Sequence, residues 1–120
     1  MRTILAAALA LSCLFAFPVQ AQPACAPATT FVMQAGSQGL SVDEMDAATA
    51  ADYIAETIEK LGPPPSGKKL IGVIVIYHPA NPLRAVVAFV AEDRTVCDVL
   101  TAHGPVALDA ISRARRDASF

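Results

Sequence analysis

Apolar residues along this chain fall into blocks of different period, and each period predicts an element. The first is a run from Ile4 to Phe17, interrupted only by Ser12, preceded by Arg2 and ended by Pro18. Its roughly 14 residues fall short of the roughly 20 that span a bilayer. With Val19-Gln20-Ala21 supplying small residues at the cleavage positions, residues 1–21 read as a secretory signal peptide cut after Ala21. A lipoprotein acylated at Cys13 would need a better match than Ala10-Leu11-Ser12 before it.

Residues 22–28 hold two prolines and read as an extended lead-in. Thr29 to Met33 is β-branched and aromatic, which predicts a short strand, broken by Gly36 and Gly39. Ser41 and Glu44 then have the spacing of a capping box, with Leu40 and Met45 placed as a hydrophobic staple. Asp43, Glu44 and Asp46 would complement the helix dipole. Ala47, Ala51, Ile54, Ile58 and Leu61 repeat at spacings of four and three. A helix is therefore predicted over 42–61, stopped by Gly62 and three prolines.

Beyond the linker 63–67 the period changes. Leu70 to Tyr77 is continuously apolar with four β-branched residues in a row, the pattern of a strand buried on both faces. Strands are also predicted over Ala85–Ala91 and Thr95–Thr101, joined by the acidic turn Glu92-Asp93-Arg94. Gly104-Pro105 opens a last helix with Leu108, Ile111 and alanines on its apolar side, and Arg113, Arg115 and Arg116 near its negative end. The predicted order is β(short)-α-β-β-β-α. This is a single α+β domain over 22–120, a three- to four-stranded mainly antiparallel sheet with two helices on one face. The other face would then meet the N-terminal segment, a second subunit or a partner.

Composition sharpens the compartment. Of 65 hydrophobic residues, 16 lie in the first 21 positions, and the remaining 99 residues carry 49. The mature chain has eight basic against eleven acidic residues, a net charge of −3, which excludes the basic footprint of a nucleic-acid binder. No stable membrane insertion is expected once the signal is removed. Cys13 leaves with the signal, so Cys25 and Cys97 remain as an even pair, read as a disulfide in a periplasmic or secreted protein. That bond favours placing the N-terminal strand beside the third long strand, with a place beside the first left open.

Candidate chemistry is sparse. Gly62 to Lys69 matches a phosphate-binding loop except at its last position, where Lys69 replaces the metal-binding hydroxyl. Its prolines remove cradling N–H groups, and it follows a helix instead of a strand, so it reads as a rigid linker with solvated lysines. His78 and His103 lack metal-ligand spacing, and no serine has a nucleophile-elbow context. Neither a metal nor a cofactor is expected. The alternating strand directions do place His78, Asn81, Arg84 and His103 at one sheet edge, near the start of the last helix. Such a group suits an anion or carboxylate. Asp98 is expected to face solvent, and Tyr77 to hold its hydroxyl in water. The function expected is a small non-catalytic binding or interaction domain. Its partner would be an unidentified protein, a small anionic ligand or a second copy in a homodimer. The alternatives are a small hydrolase-like enzyme using His78 or His103 as base, or a small carrier of apolar ligands.

Overall fold

The computed structural model describes residues 25–118, so the signal segment, its cleavage site and Cys13 lie outside the described residues. The elements are β1 (Ala26–Pro27), α1 (Ala28–Ser37), β2 (Ser41–Glu44), α2 (Ala47–Leu61), β3 (Leu70–His78), β4 (Asn81–Ala91), β5 (Thr95–His103) and α3 (Pro105–Ala118). All five strands form one antiparallel sheet in the order β1-β5-β4-β3-β2. The α+β class stands, but the sheet has five strands where three to four are predicted, three helices where two are predicted, and a different N-terminal half.

Strand β3, flanked by β2 and β4, has the predicted character. Val73, Val75 and Tyr77 face one apolar cluster while Ile74 and Ile76 face another. Successive strand side chains point to opposite faces, so a run without polar alternation needs cover on both sides. α2 and α3 supply it on the first face through Ala50, Tyr53, Ile54, Ala107, Ala110, Ile111 and Ala114. On the second face α1 supplies it through Ala35, with Phe31 and Val32 partly buried against the sheet. The helices are thus split between the two faces, two on one and one on the other.

The N-terminal half departs from the local pattern in three places. Thr29 to Met33 lies in α1 and not in a strand. Phe31, Val32 and Ala35 sit at helical spacing and meet the sheet, which outweighs the local β preference of the two threonines. Ser41 and Glu44 do not cap a helix: they belong to β2, which pairs with β3 from Ser41 opposite Tyr77 to Glu44 opposite Ile74. The outer backbone of a buried strand needs partners, and β2 provides them. α2 therefore starts later, capped by Asp46, whose carboxylate accepts from Thr49 N–H at 2.8 Å. Its buried side is Ala50, Tyr53 and Ile54, whereas Ile58 and Leu61 are exposed. On α3, Leu108 is exposed, while Ile111 and the alanines make the contact.

Cys25 and Cys97 are bonded, with Cα atoms 4.4 Å apart, and β1 lies beside β5 at Val96 and Thr95. The disulfide fixes the chain at the point from which α1 departs across the second face. Elsewhere, Arg113 joins α3 to α2. Its guanidinium donates to both Glu56 oxygens at 3.0 and 3.2 Å, reaches Asp109 at 3.2 Å and lies 5.4 Å from the centre of the Tyr53 ring.

Candidate functional site

The predicted edge cluster forms at a bulge. After a first register shift between Leu70 and Gly72, β3 and β4 pair regularly from Gly72 opposite Val90 to Tyr77 opposite Ala85, and then His78 stands opposite Asn81. Pro82, Leu83 and Arg84 are left without β3 partners, where the sequence pattern predicts an open connection. Proline cannot donate to a ladder, which suits Pro82 to such a position. These residues remain fixed on the other side: Arg84 is opposite His103, and Leu83 C=O accepts from Gly104 N–H at 2.8 Å. A bulge bends its strand and re-aims side chains.

Here it opens a groove of about 260 Å³ lined by Leu40, Ile76, His78, Asn81, Arg84, Val86 and Thr101, together with Tyr77 and Ala85. Leu40, Ile76 and Val86 belong to the cluster on the α1 side of the sheet, so the floor is apolar. His78, Asn81 and Arg84 are exposed at the rim. None of the lining residues is acidic. Among the described residues, the Arg84 guanidinium has no ion-pair partner. His78 Nδ1 accepts from Ala80 N–H at 3.1 Å, so the neutral ring carries its proton on Nε2 and offers a donor.

Three of the four predicted site residues, His78, Asn81 and Arg84, therefore line one groove. His103 is beside Arg84 in the ladder but is not among the lining residues. Ala85 and Ala102 belong to the cluster under α2 and α3, so by strand alternation Arg84 and His103 point to the opposite face. α3 packs on the Ala85 face, and the start of this helix does not join the site. Leu40, Ile76, Val86 and Thr101 were not among the residues the sequence pointed to, although the alternation within the strands carried a signal for the last three.

Other polar residues have structural partners. Asp98 is half-buried and accepts from Ser66 N–H at 3.1 Å and from the Ser66 hydroxyl, instead of facing solvent. Tyr77 is buried, and its hydroxyl donates to Asp43 at 2.8 Å instead of to water. Burial, and then the bond to Asp43, push its phenol above the ordinary value, while Arg115 opposes the shift. Lys68 is bonded to Asp93 at 2.8 Å and to Thr95 at 3.1 Å, so the linker is anchored to the β4–β5 turn. Among the described residues, no three His, Cys, Asp or Glu side chains converge as a metal site. No described helix is long and apolar enough to cross a membrane.

The described residues thus form a disulfide-pinned α+β fold with an open groove that has Arg84 at its rim. No protein-family model matches the chain, and no curated protein or solved structure matches it either.

Proposed function

We propose that this is a non-catalytic binding domain of the periplasm or extracellular space, with the groove beside Arg84 as its ligand-facing surface. The observation that carries the reading is an apolar floor beneath a guanidinium that lacks an ion-pair partner among the described residues, with no acid in the lining. Apolar contact with a few placed polar groups is the usual make-up of a ligand site. His78 supports binding more than base catalysis, because its acceptor nitrogen is already engaged by Ala80. The Cys25–Cys97 bond suits an oxidising compartment.

Native mass spectrometry of the mature protein, after incubation with small-molecule extract from its host, tests the reading. A retained species that is lost in the Arg84→Leu variant supports it. A protein that emerges bare, or a species retained equally by the variant, overturns the assignment of the groove.

A further inference from the structure

We infer that the groove takes an aliphatic monocarboxylate of medium length, with the carboxylate on Arg84 and the tail on Leu40, Ile76 and Val86. This ligand class rests on the binding reading above and makes it specific. Charge complementarity selects the head group: the rim offers a guanidinium, an imidazole N–H and the Asn81 amide, with no acid to repel an anion. Guanidinium and carboxylate match as paired donors and acceptors. The floor selects the tail, since Leu40, Ile76 and Val86 present only hydrocarbon and belong to an apolar cluster. Size favours a short tail: the groove is open and holds about 260 Å³, below the roughly 300–1,000 Å³ of pockets that enclose drug-sized ligands, so an acid of six to eight carbons suits it better than a long-chain one.

Octanoate, acetate and octanol, titrated separately into the mature protein and followed by amide NMR shifts, test this. Octanoate should move the amides of Leu40, Ile76, Arg84, Val86 and Thr101. It should bind at least about tenfold more tightly than either acetate or octanol, a tenfold ratio corresponding to about 1.4 kcal/mol. Arg84→Leu should remove that preference over octanol while leaving the spectrum of the folded domain intact. Val86→Thr, which keeps the shape of the floor but adds a hydroxyl, should weaken octanoate and leave acetate unchanged. Equal binding of acetate and octanoate, or no shift at these amides, overturns the inference. If octanoate fails while the extract still yields a species dependent on Arg84, only the ligand class is wrong. If both fail, the binding reading falls as well.

Discussion

Gly62 ends α2 with φ 94° and ψ 179°, a region open essentially to glycine alone. No atom beyond its two chain neighbours lies within 4 Å of where a Cβ would stand, so a side chain there meets backbone strain and no clash with another part of the fold. Gly62→Ala should therefore lower stability by about 1–3 kcal/mol, read as a reduced urea midpoint with an unchanged slope. An unchanged midpoint would show that the end of α2 rearranges freely. Asp93 makes a different prediction. Bonds from Lys68 and then Thr95 hold its carboxyl down to about 2, from an ordinary 3.8. A depressed folded value means the stabilisation is complete above about pH 4 and is lost as the pH falls toward about 2. Asp93→Asn should flatten that part of the acid denaturation profile, and an NMR titration of the side chain should show the low midpoint directly. At this scale the stop at Gly62 was legible in the sequence, because glycine followed by prolines has few other uses. The partners of Asp98, Lys68 and Tyr77 were not, since they come from residues 25 to 34 positions away.

Among the elements, the start of α2 separates local signal from tertiary choice. Ser41-Val42-Asp43-Glu44 has the spacing of a capping box, but the same residues complete the edge of β3. Asp46 offers a second cap three residues before Thr49. Asp46→Ala should cost about 1 kcal/mol and Ser41→Ala distinctly less, measured by thermal or urea unfolding. The reverse order would restore the capping-box reading. The predicted apolar stripe of α2 mostly faces solvent: Ala47, Ala51, Ile58 and Leu61 are exposed, and only Ile54 of the five is buried. Alanines on several sides of the helix leave its rotation to packing, and Tyr53, stacked near Phe89 with ring centres 6.3 Å apart, turns the side with Ala50 to the sheet. In the hairpin of β3 and β4 the strands themselves were legible from β-branched runs. The bulge that forms the groove was not, since its register depends on β5 as well as β3.

For the whole molecule, the disulfide and α1 act together. α1 has ten residues, no charged side chain and no side-chain cap bond at its N-terminus. Helices so short are marginal in isolation, so α1 depends on the sheet beneath it and on the Cys25–Cys97 bond beside its start. Replacing both cysteines by serine should lower stability by about 2–5 kcal/mol. Amide hydrogen exchange should rise in α1 before it rises in α2, with increased binding of a hydrophobic dye as Ile74, Ile76 and Val90 lose cover. Uniform loss of protection across both helices would mean that α1 is integral to the cooperative unit.

Read along the chain alone, the three long strands, the last helix, the end of α2, the cysteine pair and the edge shared by His78, Asn81 and Arg84 are already specified. Each is written in short-range pattern: an apolar run, a turn residue, a proline, an even count of cysteines. Long-range packing is what makes Thr29 to Met33 helical and Ser41 to Glu44 a strand, and what sets Arg84 over an apolar groove on the face away from α3. Those outcomes answer needs arising far along the chain. The second face of a buried sheet must be covered, its edge backbone must be paired, and a bulge is placed only once both neighbouring strands are in register.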